Sequence, residues 1–346
     1  MKIAKHTVVA IAVSTLLAAC GGGGGSSSST TPSSTDTPSQ STGPVVVPAD
    51  LQTSVPALTY SANSQEYAFV TALNQFRAQV GLGLLAQNAL LDQSAQNHLQ
   101  YVVTNDSSNG GTVNMNTIDS ATGLPMYHVE QAGKPGFTGV VPADRAKAVG
   151  YSSPNVGEQL VFAGGKGGVV GLTGLLSTVY HRAGLLFQGS RDVGVAVGQD
   201  ASQTIVMEYG YMSAQSNASD FLGIYPSDKQ NGVGRYAGAE LPNPFPDLST
   251  SNSDFPTKTG YPVTIVSKEL TTLEVVTFTI TEAGTTVALS ARLLTAANDP
   301  NKLLGTNTAV LVANGTLKAN TTYNVAFSGR VNNVAVTKSW SFTTGN

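Results

Sequence analysis

The chain has 346 residues, only 11% of them charged, with 18 basic and 21 acidic side chains and a formal net charge of −3. That length suggests about two domains. So sparse and slightly acidic a charge set excludes the basic footprint of a nucleic-acid binder, and no run of like charges marks an interaction tail.

The first 19 residues read as a leader. Lys2 and Lys5 precede an apolar run over Thr7–Leu17, and small residues follow, Ala18-Ala19 before Cys20. This is the order of a secretory signal peptide. The run is too short for a bilayer-spanning helix, which needs roughly 20 residues. Cys20 is the only cysteine, so the folded part holds no disulfide and depends on packed cores. Residues 20–60 continue after Cys20 as GGGGGSSSSTTPSSTDTPSQ, a Gly/Ser then Ser/Thr/Pro composition that cannot bury a core and reads as a disordered tether.

A first helix should start near Asn63, with Glu66 completing a capping box. Tyr67, Val70, Leu73, Phe76 and Val80 recur at helical spacing, and Gly81 stops the helix. A second helix should run from about Asn88 to Thr104. His98 lies on its apolar stripe with Leu91, Ala95 and Val102, so it reads as a packed or helix-bonded histidine rather than a ligand. Residues 105–127 show no regular signal, and His128 follows. Pro142 suits the first position of a short helix, Asp144 its positive end, and Gly150 its stop. Val156–Phe162 reads as a buried strand. The loop AGGKGG after it lacks the strand–GxxxxGK[ST]–helix spacing of a phosphate-binding loop. One helix is expected over Val169–Arg182, weakened at Gly171 and Gly174, and then a hairpin of Asp192–Gly198 with Thr204–Tyr211.

Residues 213–258 are rich in Ser, Asn, Pro and Gly and read as a linker or extended arm. From residue 259 to 346 short alternating strands predominate: Val263–Val266, Val275–Ile280, Val287–Leu293, Val310–Val312, Tyr323–Ser328 and Lys338–Thr343. They predict a small all-β sandwich of about 90 residues, with Trp340 in its core.

Several stretches together resemble known families. Leu17-Ala18-Ala19-Cys20 resembles the bacterial lipobox. That implies cleavage before Cys20, acylation of its thiol and new N-terminus, and, with Gly21 next, an outer-membrane lipoprotein facing the periplasm or the cell surface. LNQFRAQVGLGLL and LDQSAQNHLQYVV, then His128 followed by GFTG, Asp144-Arg145, Gly157-Glu158-Gln159-Leu160, and Tyr180-His181-Arg182 with Val193-Gly194-Val195 resemble, in order, the CAP (SCP-like) superfamily over about residues 61–212. The closing Leu317…Tyr323 and Trp340-Ser341-Phe342-Thr343-Thr344 resemble bacterial Ig-like domains. The implied fold class is α+β: a CAP-type α-β-α sandwich followed by an Ig-like sandwich.

The CAP resemblance implies a cleft joining His128, Glu158 and His181, the candidate catalytic groups. Members with a full site carry two histidines and two glutamates. Val169–Tyr180 holds no acid, and neither Glu130 nor Glu208 falls in a matching position for the second. His128 and His181 are candidate ligands for zinc, with Glu158 orienting a metal-bound water. The plainer alternative is a hydrogen-bonded polar cluster fastening strand to helices. Arg145 reads as part of a structural ion pair. The absence of a GxSxG leaves nucleophilic chemistry unsupported. The favoured reading is a non-enzymatic binding module, membrane-bound through lipidated Cys20, that takes a lipid, peptide or cell-wall ligand. The alternatives are a metal-dependent hydrolase and a structural or adhesive surface protein with a vestigial cleft.

Overall fold

The structure is a computed structural model that describes residues 47–250 and 253–346. The leader, Cys20 and the tether before residue 47 lie outside the described residues. Residues 47–60, read above as the end of the tether, are part of the fold. Gln52 Nε2 donates to the carbonyls of Leu84 and Arg191 at 3.1 and 3.0 Å, and Asp50 bridges to Ser216. Their backbone groups find partners along the first sheet, which composition alone does not reveal.

Helix α1 (Gln65–Val80) starts at Ser64, one residue after the expected cap, because the Ser64 hydroxyl accepts from the amide of Tyr67. Strand β1 (Ala86–Gln87) leads into α2 (Ala89–Asn105), which begins where expected and is capped by Asn88. A 3-10 turn over Met126–His128 and α3 (Pro142–Ala148) precede β2 (Val156–Phe162). The single helix expected over Val169–Arg182 is two: α4 (Gly168–Leu176) and α5 (Tyr180–Leu185). Between them the Ser177 and Thr178 hydroxyls donate back to the carbonyls of Gly174 and Leu175 at 2.6 and 2.8 Å. Such local bonds compete with the helical ladder. Strands β3 (Asp192–Val197) and β4 (Thr204–Gly210) form the expected hairpin.

The first sheet has the order β1-β3-β4-β2. Alternation along its strands sorts the side chains into two layers. Leu160, Ala196 and Val206 pack with Leu99 and Val102 of α2. Val193, Val195, Ile205 and Met207 pack with α1, α4 and α5 on the other face. This is the α-β-α arrangement.

Residues 213–258, expected as a linker, hold two strands: β5 (Leu222–Tyr225) and β6 (Gln230–Val233). A short α6 (Asp254–Lys258) follows, then β7 (Val263–Ser267), β8 (Leu273–Glu282), β9 (Ala291–Thr295), β10 (Thr308–Ala313), β11 (Thr322–Val331) and β12 (Val334–Thr344). They make two four-stranded sheets, β5-β7-β10-β9 and β6-β12-β11-β8. The expectation of a linker or extended arm missed β5 and β6 because each is only four residues long and becomes a strand by pairing with β7 or β12.

Every residue of β7 and of β10 is buried, the mark of a sheet covered on both faces. One face meets Trp340, Phe342 and Phe327 of the second sheet. On the other, Val310 and Val312 pack with Val179 of the α4–α5 turn and with Ala237, Phe245 and Phe255. Arg182 of α5 crosses this junction fully buried. Its guanidinium lies over the rings of Tyr225 and Tyr261, 4.9 and 4.6 Å from their centroids, and donates to the carbonyls of Leu176 and Pro262. The helical part and the β part therefore share one core. No helix among the described residues is long and apolar enough to cross a membrane.

Candidate functional site

Strand β2 carries Glu158 toward α2 and α3, where it is 1% exposed. Its two oxygens have separate partners. Oε1 meets His128 Nδ1 at 2.8 Å, and Oε2 accepts from Arg145 Nη2 at 2.6 Å. Arg145 comes from α3, completely buried, and also donates to the His128 carbonyl at 3.2 Å. The ion pair expected of Arg145 thus exists, with Glu158 as its acid. Burial alone would raise the pKa of Glu158, but Arg145, His98 and His128 more than offset this and hold it at about 2.

His98 belongs to the same cluster. Its Nδ1 meets Glu130 Oε1 at 2.9 Å, and its Nε2 donates to the Tyr127 carbonyl at 2.8 Å. Both ring nitrogens thus face oxygen atoms of the protein. Glu130 also accepts from the Thr138 amide at 2.6 Å and the Gly139 amide at 3.3 Å, which ties the loop after His128 to α2. Directly across the ladder from Glu158 stands Glu208 of β4. It is fully buried, and among the described residues neither of its oxygens has a hydrogen-bond partner. Arg145 Nε is 3.7 Å away, beyond hydrogen-bond range, and the Ser94 hydroxyl faces it without bonding geometry. Burial first, then the neighbouring Glu158 charge, pushes Glu208 up to about 8. Two like charges side by side in a core are costly, and one carboxyl stays neutral.

His181 does not join this group. α5 packs on the other face of the sheet from the Glu158 carboxylate, so closely that a β-carbon at Gly184 would lie 2.2 Å from Gln159 Nε2. His181 Nδ1 instead meets Glu240 Oε2 at 2.9 Å. Glu240 also accepts from the amides of Val179, Tyr180 and His181 at 2.6, 3.0 and 3.2 Å, capping the start of α5. The acid missing from Val169–Tyr180 is thus supplied to His181 from residue 240, inside the stretch read as a linker. Glu130 and Glu208, the alternatives weighed above, lie in the His98–Arg145 cluster.

A zinc ion does not fit these donors. Glu158 and His98 already have protein partners, Glu208 is enclosed and kept protonated by burial, and Nε2 of His128 and Nε2 of His181 belong to separate clusters. Among the described residues no three His, Cys, Asp or Glu side chains are grouped to hold a metal, whereas a catalytic zinc takes three protein ligands. Two shallow depressions lie elsewhere. One, of about 440 Å³, is on the outer face of β8, β11 and β12 beside Thr279, Asn324 and Ser339. The other, of about 320 Å³, is beside Tyr60, Glu66 and Asp92.

The order of these elements and the Gly157-Glu158 strand agree with one family model, that of CAP, the cysteine-rich secretory protein family, which matches residues 70–209. Residues 70–209 are a CAP domain. Among solved structures the chain is similar to an extracellular protein containing a SCP domain from Bacillus anthracis, at 19% identity and a TM-score of 0.32, covering 42% of this chain and 40% of that one. It is also similar to an outer surface protein of Borrelia burgdorferi, at 14% identity and a TM-score of 0.32, covering 44% of this chain and 95% of that one. The match thus spans well under half of the Bacillus protein. No curated protein matches the chain. In this CAP domain, sequence reasoning found His128, Glu158 and Arg145. It missed His98, whose helical spacing is that of an ordinary core residue, and Glu240, whose Pro-rich surroundings carry no periodic signal.

Proposed function

We propose that this protein is an extracytoplasmic interaction module anchored to a bacterial outer membrane through acylated Cys20, with the CAP domain and a C-terminal Ig-like module presenting its binding surface to a lipid, peptide or cell-wall ligand. The observation that supports a non-catalytic role is the enclosure of Glu158. A general base must come within hydrogen-bond reach of a substrate, and here the carboxylate is 1% exposed, with one oxygen on His128 and the other on Arg145. The cluster acts as a polar clamp between β2, α2, α3 and the His128 loop. Its cost of burial is offset by internal pairing, and it keeps the domain's shape rather than turning over a substrate.

The rival reading, a zinc hydrolase, requires His128 and His181 to converge on a metal. Calorimetric titration of the whole protein with zinc is expected to show no saturable site near stoichiometry, with His128→Ala and His181→Ala behaving like the wild type. A stoichiometric heat signal lost in both variants would revive the hydrolase. The anchor has its own test. Cys20→Ser should move the protein from the membrane fraction to the soluble one, and retention of the variant in membranes would remove the lipidation reading.

A further inference from the structure

From Val47 a succession of contacts runs past two further exposed apolar side chains, Met212 and Leu270. Val47, 53% exposed, donates its amide to Ser219 Oγ at 2.9 Å, and Asp50 pairs with Ser216 and with Arg191. Arg191 also donates to the Ser213 carbonyl at 2.8 Å, next to Met212, which is 65% exposed. Tyr211 packs against Phe187, ring centroids 6.0 Å apart. Gln188, adjacent in turn, exchanges hydrogen bonds with Glu269: amide to Oε1 at 3.2 Å and, in return, amide to Oε1 at 3.1 Å. The next residue, Leu270, is 90% exposed at φ +65°.

Leu270 is an anomaly on two counts. A leucine at positive φ is a costly conformation, and its side chain is almost wholly in water. It is held there by the turn around it, in which Thr271 Oγ1 donates to the Lys268 carbonyl at 2.7 Å and bonds Ser267 Oγ at 2.8 Å. Strain of this kind persists where surrounding structure imposes it, and it tends to mark function. Charges of both signs accompany these side chains: Arg191 pairs with Asp50, and Lys268 precedes Glu269 in the turn. The patch suits an apolar surface rather than a charged partner.

We propose that this end of the molecule, with Leu270 and Met212 as wedges and Val47 beside them, docks on the bilayer that holds the acyl chains of Cys20. This rests on the lipid-anchor reading. The occupant is identified by the chain itself. Only residues 21–46 separate Cys20 from Val47 in the sequence, and Val47 lies on this face. A tethered surface meets its target at a high effective concentration, so a small apolar patch adds a second signal to the lipid one, as stable interfacial anchoring uses.

Because Cys20 is the only cysteine and is blocked by acylation on this reading, single cysteines placed elsewhere label selectively. The full-length lipidated protein carrying L270C, M212C or V287C is labelled with an environment-sensitive fluorophore. It is then bound to phosphatidylethanolamine–phosphatidylglycerol vesicles containing spin-labelled lipid. Val287 is 76% exposed and follows the far end of β8, a strand of ten residues that starts just after Leu270 and is about 33 Å long. The expected result is a blue shift and several-fold greater lipid quenching at 270 and 212 than at 287. Equal quenching at all three positions on vesicle-bound protein overturns the docking face and leaves the anchor standing. Failure of the protein to stay with the vesicles overturns the anchor and the docking proposal together.

Discussion

Replacing Arg145 by methionine is expected to destabilise the protein by about 3–5 kcal/mol at neutral pH, the usual result of removing one member of a buried ion pair. The substitution keeps much of the volume but strands Glu158, which retains only His128 within hydrogen-bond distance and stays enclosed at 1% exposure. It also withdraws the guanidinium 3.7 Å from Glu208 and 3.9 Å from Glu130. Urea denaturation of the single variants Arg145→Met and Glu158→Gln and of the double variant forms the deciding cycle. The double variant should recover part of the loss, because no unpaired charge remains. Additive effects, or a loss below about 1 kcal/mol for Arg145→Met, would show that the clamp is not an energetic unit.

The second large effect concerns pH. Glu208 has its carboxyl raised from 4.5 to about 8 in the folded state. Between those values the folded protein holds a proton that the unfolded chain releases, so stability falls as pH rises, by about 1.4 kcal/mol per pH unit at full effect. The contribution is complete below about 4.5 and gone above about 8. Glu158, lowered from 4.5 to about 2, acts in the opposite sense: its contribution is present above 4.5 and is lost as pH falls toward 2. The pair predicts a stability maximum on the acid side of neutrality. Glu208→Gln, which cannot ionise, should flatten the alkaline limb and be more stable than the wild type at pH 8 and above. Chemical denaturation at several pH values decides it. A variant that keeps the wild-type slope between pH 5 and 8 would mean that Glu208 is not the titrating group.

Both predictions depend on residues that differ in how far the sequence exposes them. Pro142, Asp144 and Gly150 announce α3, and so place Arg145 on a short helix. The alternation over Val156–Phe162 puts Glu158 on one face of a strand. Those are local signals. That His98 would meet Glu130, and that Glu208 would stand opposite Glu158, follows from ladder register and from the loop folding back over α2, contacts 30 or more residues apart in sequence. The grouping of His181 with His128 and Glu158 failed for a related reason. Strand alternation sends the Glu158 carboxylate to one side of the sheet while α5 lies on the other, and a motif records order along the chain without recording the side. Residues 213–258 misled because Pro, Asn and Gly describe how a segment turns, while burial of Phe245, Leu248 and Ala237 against Val179 decides where it rests.

By itself the sequence determined the helices and strands whose signals are local: the starts of α1 and α2 to within a residue, their periodicity, the Gly157-Glu158 strand and the alternating C-terminal strands. The α-β-α class followed only from the resemblance of its ordered motifs to the CAP superfamily. Tertiary structure alone decided that Glu240 serves His181, that Arg182 is enclosed between Tyr225 and Tyr261, and that the β-sheets share a core with the CAP domain. The physical reason is range. Capping and amphipathic spacing act within a few residues. The partner of a buried charge is chosen by whichever oppositely charged or hydrogen-bonding group the packed core brings within about 3 Å, and for His181 that group stands 59 residues downstream.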